Sequence, residues 1–254
     1  MLPAIVLLSG VFQVSNAHGR PPIEECEETG DPKCPPGYTM FNRENSARPW
    51  CMKVFDGKVT FKDAERICRC QGGATLSGVN DDNEYNWVLD ETKHIFSQKG
   101  IENGGIWLGA YRRQSCLGLK SAWKPSANCA KENIFLFTDR STYSDFLFDK
   151  WLPGIDLGSN YEKCVQLLIS TADSELSGKI NDKTCSLIDV DPSGDSITYT
   201  HGFVCGRPAV YPSDIYASKN QANDDEAGTL NYRDGPKYIP IGNRHQNQEE
   251  VNIY

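Results

Sequence analysis

Ten cysteines and four histidines are the side chains of this 254-residue chain best suited to chemistry. The histidines, none of which adjoins an evident nucleophile, are His18, His94, His201 and His245. Cys68 and Cys70 are separated by one residue and no CxxC pair occurs, so a zinc site is disfavoured. The common nucleotide-binding, metalloprotease and hydrolase motifs do not occur either. We therefore expect no enzyme activity, and we expect the cysteines to form disulfide bonds in an oxidising compartment.

Residues 60–76 should form the element that places one of these cysteines in the core. Their apolar side chains recur at the three-and-four spacing of one helical face, at Phe61, Ala64, Ile67 and Cys68. Gly72 and Gly73 should end the helix, because glycine adopts the left-handed conformation beyond a helix end without a steric clash. The best distant partner for Cys68 is Cys205, which ends an apolar run, and that bond would close nearly the whole domain into one covalent loop.

A second helix and several apolar strands follow. The helix should begin at Asp81, which can cap it with Glu84 in a capping-box arrangement, and should run to about residues 94–96. One face of this helix should carry Trp87, Val88, Glu91 and Ile95. Apolar runs predict strands at 50–55, 106–110, 133–138, 164–170 and 203–205. A long irregular region is expected at 139–163.

The two ends of the chain differ in composition from its middle. An apolar run from Leu2 to Val14, followed by small residues, predicts a secretory signal peptide over residues 1–17. Residues 18–33 form a polar leader, and residues 207–254, which contain no Cys, Trp or Phe, predict a polar and disordered tail. The domain itself should therefore span residues 34–206. No segment is long and apolar enough to cross a membrane.

The charge of the chain excludes one class of partner. There are 26 Lys and Arg residues against 34 Asp and Glu residues, which gives a net charge of -8. A surface of that sign repels phosphate backbones, so binding to nucleic acid is not expected. With an export signal and many cysteines, the expected location is secreted and extracellular.

A series of short motifs resembles the C-type lectin-like domain over roughly residues 34–206. In chain order they are CPPGY with a following WC, FKDAERIC, GGATLSGVNDDNEYNWV, IWLGA, CVQLL, KINDKTC and HGFVCG. Each motif is weak alone, but their order and spacing together are specific. The resemblance, closest to secreted long-form members of the nematode type, implies an α+β fold. In that fold two helices pack on small antiparallel sheets beside a long irregular loop region, and disulfides hold the parts together.

The resemblance also implies a disulfide framework. Cys68–Cys205 and Cys164–Cys185 would be the two core bonds, with Cys34–Cys51 as the extra hairpin bond of the long form. A Cys116–Cys129 bond would be shared with the nematode-type members. Cys26 and Cys70 are left over, and we pair them by elimination.

This sequence departs from the family at the sugar site. Many members bind calcium through an EPN or QPD triplet in the long loop and an Asn-Asp pair before the third core cysteine, because calcium prefers oxygen ligands. Here the triplet aligns with Leu152-Pro153-Gly154, whose outer residues have no side-chain oxygen. The central proline predicts the family's loop shape, with a cis bond. Asn181 and Asp182 match the second half of the site, behind Ile180 in place of the usual Trp, and the acidic residues that could compensate are Asp156 and Glu162.

Two of these features have a second interpretation. Asn and Asp favour turns by bonding to their own backbone, and we favour that interpretation for Asn181 and Asp182. Trp151 adjoins the ligand loop, where an aromatic ring can stack on a sugar or pack in the core.

We therefore expect a secreted, non-catalytic recognition protein. Its ligand-binding residues would be Trp151, Pro153, Asn181 and Asp182, and its metal ligands Asn181 and Asp182. No cofactor is required, and calcium should bind weakly or not at all. The ligand is a glycan or, in the alternative interpretation, an extracellular protein bound by a module that has lost sugar binding.

Overall fold

The computed structural model describes residues 30–44, 46–116, 129, 134–153, 162–187 and 199–214. The helices in these ranges are α1 (Phe61–Cys70) and α2 (Asp82–Lys99). The strands are β1 (Thr39–Phe41), β2 (Trp50–Asp56), β3 (Thr75–Leu76), β4 (Asn103–Arg112), β5 (Phe135–Phe137), β6 (Glu162–Ser170), β7 (Ile180–Thr184) and β8 (Thr200–Pro208). Short 3-10 helical turns at Gln114–Cys116 and Phe146–Lys150 lie in the connections.

The described strands join one sheet, in the spatial order β1-β2-β8-β4-β6-β7, with β3 beside β8 and β5 beside β4. Their pairings are antiparallel except that of β4 with β8, which is parallel. The α+β, C-type lectin-like fold class is confirmed, although the small sheets expected from the sequence are continuous. The last strand lies between β2 and β4, and so unites the first and last segments of the domain.

Each face of the sheet carries its own apolar cluster, because side chains alternate along a strand. Val204 of β8 points into one cluster together with Met52 of β2. Phe203 and Cys205 point into the other, which lies beneath α1 and includes Phe61. The covalent link from α1 to β8 therefore runs through this second apolar cluster.

The first helix forms where the sequence predicts it. The hydroxyl of Thr60 accepts a hydrogen bond from the backbone N–H of Asp63 at 3.1 Å, and Gly72 and Gly73 follow the helix with φ of 69° and 78°. Glu65 was not expected on the buried face. Its carboxylate accepts the backbone N–H of Leu76 at 2.7 Å and so ties α1 to β3.

The second helix has a different buried face from the one predicted. Its N-cap is Asp81 as expected, but its buried residues are Glu84, Tyr85, Val88, Thr92 and Phe96. Of the predicted face only Val88 is fully enclosed. Glu84 does not complete a capping box: it accepts the backbone N–H of Asn80 at 2.8 Å and pairs with Arg43. The buried face is decided by what lies beneath the helix, and a buried glutamate needs a distant cation that the local pattern does not reveal.

Four disulfide bonds are formed with the expected pairings: Cys34–Cys51, Cys68–Cys205, Cys116–Cys129 and Cys164–Cys185. The fifth pairing stays a prediction: Cys70 is an exposed thiol at the end of α1 with no disulfide partner among the described residues. Its predicted partner, Cys26, lies outside the described residues. The Cys26–Cys70 pairing came from elimination alone, and no motif or spacing supported it.

Ordered contacts reach slightly beyond residues 34–206 at both ends. Lys33 and Val210 form an antiparallel bridge with both backbone hydrogen bonds at 2.9 Å, and Arg48 pairs with Asp214 at 2.7 Å. The expected signal peptide, most of the leader and residues 215–254 lie outside the described residues. Within the described ranges, neither helix has the length and hydropathy needed to cross a membrane.

Candidate functional site

The loop proline and the Asn-Asp strand are neighbours at the β7 edge of the sheet. Trp151 forms an isolated parallel bridge with Ile180, and the backbone N–H of Leu152 donates to the carbonyl of Ile180 at 2.9 Å. Pro153 follows at the surface, joined to Leu152 by a trans peptide bond rather than the expected cis bond. The structure thus brings together the two halves of the site that the sequence separates.

Asn181 and Asp182 lie inside β7, so the turn interpretation is wrong. They pair with Gln166 and Val165 of the long central strand β6, and pairing across a sheet overrides the local preference for a turn. Both are buried, with exposed fractions of 4% for Asn181 and 1% for Asp182. The side-chain oxygen of Asn181 accepts the backbone N–H of Asp182 at 2.9 Å. This oxygen, one of those a calcium ion would use, is therefore already engaged.

Asp182 pairs with a buried arginine that the sequence analysis did not identify. Arg112 ends β4, and its Nη2 donates to Oδ2 of Asp182. Arg112 is only 2% exposed. Its placement follows from strand alternation, because the preceding alternate residues Ile106, Leu108 and Ala110 all point into one apolar cluster. That period-two series is the signal from which Arg112 could have been predicted to point inward.

The pair places a protein cation beside the carboxylate of Asp182, a residue predicted from the sequence to be a metal ligand. A guanidinium stays charged at any physiological pH, and its planar donors match a carboxylate. Charge repulsion is strong at short range in a buried site, so a calcium ion approaching Asp182 would meet the charge of Arg112 at close distance. The described residues also contain no group of three or more His, Cys, Asp or Glu side chains that could hold a metal ion.

The residues that could compensate do not complete a calcium site in the described structure. Glu162 begins β6 and pairs with Lys183 at 3.6 Å, which engages its carboxylate elsewhere. Leu152 is half-buried and has no side-chain oxygen. Asp156 and Gly154 lie outside the described residues. The two predicted metal ligands, Asn181 and Asp182, lie together, and the side chain of each already contacts another protein group.

Trp151 packs partly in the core. The centroid of its ring lies 5.6 Å from that of Phe135 and 6.3 Å from that of Phe148, and those two phenylalanines stack at 4.7 Å. Trp151 as a residue is half-buried, and its ring nitrogen is buried. Both interpretations of Trp151 therefore remain compatible with its position.

Comparison with known proteins places the chain in a family. The family model of C-type lectin domain-containing protein 141/158 matches residues 39–208. The chain belongs to this C-type lectin domain family. Among its relatives, C-type lectin domain-containing protein 158 of Caenorhabditis elegans is 27% identical over 188 residues, which cover 69% of this chain and 88% of the relative.

Solved structures with similar folds include vertebrate proteins. Human lithostathine is 19% identical with a TM-score of 0.43, over 69% of this chain and 91% of that one. The carbohydrate-recognition domain of the mouse scavenger receptor C-type lectin is 21% identical with a TM-score of 0.39, over 69% of this chain and 96% of that one. The family membership makes this chain a lectin-like recognition protein, of a family and fold that are generally non-catalytic.

Proposed function

We propose that this C-type lectin domain protein recognises a glycan outside the cell and does so without calcium. The observation that carries the proposal is the buried Arg112–Asp182 pair, in which a guanidinium already neutralises the carboxylate of the family's metal site. Leu152 supports it, because it stands where the family's triplet supplies an oxygen. Calcium affinity falls with the charge and number of the oxygen ligands, and both are reduced here.

Recognition of a sugar without a metal depends on aromatic and hydrogen-bonding groups. At this edge of the sheet the half-buried Trp151 lies close in the chain to the exposed Pro153. An aromatic face can stack on the apolar face of a sugar ring, and the backbone groups of the loop can bond its hydroxyls. We assign Trp151 and Pro153 to ligand contact, and Asn181 and Asp182 to the support beneath them.

Titration calorimetry of the purified, oxidised protein with calcium chloride tests the calcium part of the proposal. We expect no saturable binding at micromolar calcium. Asp182→Asn, checked for folding by thermal melting, should give the same calcium trace as the natural chain. Saturable micromolar binding that Asp182→Ala abolishes would contradict the proposal, since it would mean that neighbouring acids have rebuilt the metal site.

A glycan array run in calcium and in chelator tests the sugar part. The same glycans should be bound in both conditions. Trp151→Phe, which keeps an aromatic ring packed on Phe135, should bind more of the glycan than Trp151→Ala. An array that stays empty while the protein is folded would reject the glycan.

A protein ligand is the second candidate, and the packing of Trp151 favours it. A tryptophan held by Phe135 and Phe148 has less free surface for a sugar, and the Leu152 position removes a sugar-binding oxygen. The module would then bind an extracellular or matrix protein without calcium. An empty glycan array together with saturable binding to an extracellular protein would select this candidate.

We also propose that the chain is secreted, with a signal peptide over residues 1–17, a polar leader over 18–33, the domain over 34–206 and a disordered tail over 207–254. N-terminal sequencing of secreted material should begin near His18. Its intact mass should show the loss of two protons for each of the four disulfide bonds. Limited proteolysis should remove the tail first, because chain with few buried contacts opens easily. A tail as resistant as the domain would contradict this division.

A further inference from the structure

Two basic side chains lie on the α1 side of the sheet, on the paired strands β2 and β8. In the pairing of β2 with β8, Cys51 is opposite Arg207 and Lys53 is opposite Cys205. Lys53 and Arg207 are therefore diagonal neighbours on one face. Tyr38 precedes β1 and lies alongside, with the Lys53 ammonium 5.8 Å from the centroid of its ring. All three side chains are half-buried, so each has a part that solvent can reach.

Arg207 and Tyr38 hold polar atoms that lack an acceptor. The Nε of Arg207 and the hydroxyl of Tyr38 are buried and, among the described residues, have no hydrogen-bond partner. Burial raises the pKa of the Tyr38 hydroxyl, and the nearby positive charge of Arg207 partly opposes that rise. The phenol is therefore a protonated donor at neutral pH. Native proteins rarely leave buried donors without acceptors, so two in one place need an explanation.

The positive charges at this place also lack a counter-ion. In the part of the chain that the structure describes, neither Lys53 nor Arg207 forms an ion pair. Other arginines of the same domain do pair with carboxylates: Arg43, Arg48, Arg66, Arg69 and Arg112. An unneutralised cation pair is unexpected in a chain whose net charge is -8.

The backbone holds the two cations at this place. A Cβ at Gly72 would lie 2.4 Å from Nη1 of Arg207, and a Cβ at Gly37 would lie 3.1 Å from Nζ of Lys53. Arg207 thus rests on the turn that ends α1, and Lys53 rests on the turn before Tyr38. Both turns use glycine in a positive-φ conformation, so the backbone against which each cation packs is fixed by the fold.

We propose that Lys53 and Arg207, with Tyr38 beside them, bind the sulfate group of a sulfated glycan. A guanidinium donates through a planar fork and an ammonium acts as a compact point charge, and together they bind oxyanions strongly. A sulfate ester has three terminal oxygens, which the exposed parts of the two cations can share, and the buried Tyr38 hydroxyl lies beneath them as a further donor. The site is independent of the proposed calcium-free site at Arg112 and Asp182, because different strands carry it.

Thermal unfolding of the full-length, oxidised protein in sodium sulfate and in sodium chloride of equal ionic strength is the first experiment. Sulfate stabilises most proteins without binding a site, so the comparison is made between variants. Arg207→Gln and Lys53→Gln remove one charge from the proposed site. Lys93→Gln, on the exposed side of α2, removes the same charge elsewhere and is the control. Tyr38→Phe keeps the ring and removes only the hydroxyl.

We expect sulfate to stabilise the natural chain and Lys93→Gln more than it stabilises Arg207→Gln or Lys53→Gln. By titration calorimetry, N-acetylglucosamine 6-sulfate should bind and N-acetylglucosamine should not. Loss of either cation should weaken binding about tenfold or more, and loss of the hydroxyl by less. If Arg207→Gln is poorly folded, the result for Lys53→Gln tests the site. The Lys53 ammonium donates no hydrogen bond in the described structure, so its loss should disturb the fold little.

Equal stabilisation by sulfate in all variants would contradict the proposed sulfate site. Binding of inorganic sulfate without binding of the sulfated sugar would overturn the glycan assignment, leaving an adventitious ion only. A failed calcium test at Arg112 and Asp182, or glycan binding that Trp151→Ala leaves unchanged, would leave the sulfate result standing, so the two proposals can be judged separately.

Discussion

Two buried arginines have different roles in this domain. Arg43 lies between the carboxylates of Glu84 and Asp139, at 2.7 Å and 3.4 Å, and also donates to the carbonyl of Gly78 at 3.2 Å. It therefore joins the connection after β1, the start of α2 and the turn after β5. Arg112 pairs with Asp182 within the sheet, next to the ligand loop.

The difference is in what surrounds each guanidinium. Arg43 also lies 4.8 Å over the ring of Trp50, and Asp139 accepts the backbone N–H groups of Gly78 and Thr142, both at 2.9 Å. That network holds segments that no strand pairing connects. The pair at Arg112 lies between strands that the sheet already holds, and under the proposed function it also affects what the adjacent site can bind. Under the proposed function, one buried ion pair connects separate segments of the fold and the other stands where related proteins bind a metal.

The largest effect should come from Arg43→Met. It leaves two buried carboxylates, Glu84 and Asp139, without their cation, which should cost about 3–5 kcal/mol of unfolding free energy. Urea unfolding followed by tryptophan fluorescence measures it. The control is Arg66→Met, which breaks an ion pair with Asp63 on the surface of α1 and should cost less than about 1 kcal/mol. Equal losses of unfolding free energy in the two variants would mean that the buried network does not stabilise the contact between these segments.

Arg112→Met should cause the next largest loss of unfolding free energy, about 3 kcal/mol, because one buried carboxylate is left without its cation. The double variant Arg112→Met/Asp182→Leu should regain most of that loss, since no isolated charge remains. The corresponding Arg43→Met/Glu84→Leu should regain less, because Asp139 stays buried. The same urea titrations decide it. If both double variants recover to the same degree, the contrast between a network and a pair is wrong.

Trp151→Ala should cost about 1–3 kcal/mol, because the half-buried residue packs its ring against Phe135 and Phe148. Trp151→Phe should cost less than about 1 kcal/mol, since an aromatic ring of smaller size remains. Thermal melting gives both values before any glycan is tested. A stable Trp151→Ala would show that the ring faces outward more than it packs.

The smallest effect concerns Arg48 and Asp214, the pair beyond the expected domain boundary. A side-chain hydrogen bond from Arg48 lowers the pKa of Asp214. A lowered folded-state pKa means that the stabilisation is present above the unfolded pKa, about 3.9, and is lost as pH falls below it. Both side chains are partly exposed, so the stabilisation is about 1 kcal/mol or less. Thermal melts at pH 6 and pH 3 should show a smaller acid loss in Arg48→Ala than in the natural chain. An equal loss would mean that this segment does not dock in solution.

The sequence by itself determined the elements whose causes are local. Thr60 and Asp81 cap the two helices, Gly72 and Gly73 follow the first, and apolar runs became β2, β4, β6 and β8. The family resemblance carried by the motif order implied the four disulfide bonds found among the described residues. Capping and strand patterning act over a few residues, so they can be recognised from neighbours in the chain.

Only the tertiary structure decided where the charged groups lie. Arg43 and Glu84 are 41 residues apart and Arg112 and Asp182 are 70 apart, and nothing in the intervening chain marks them as partners. From the local pattern, Glu84 was therefore predicted to cap a helix and Asp182 to lie in a turn. A charged side chain can be buried only when a distant group of opposite charge arrives beside it, because removing it from water is otherwise too costly. Whether such a partner is present depends on which strands and helices pack together, so it can be recognised only in the folded structure.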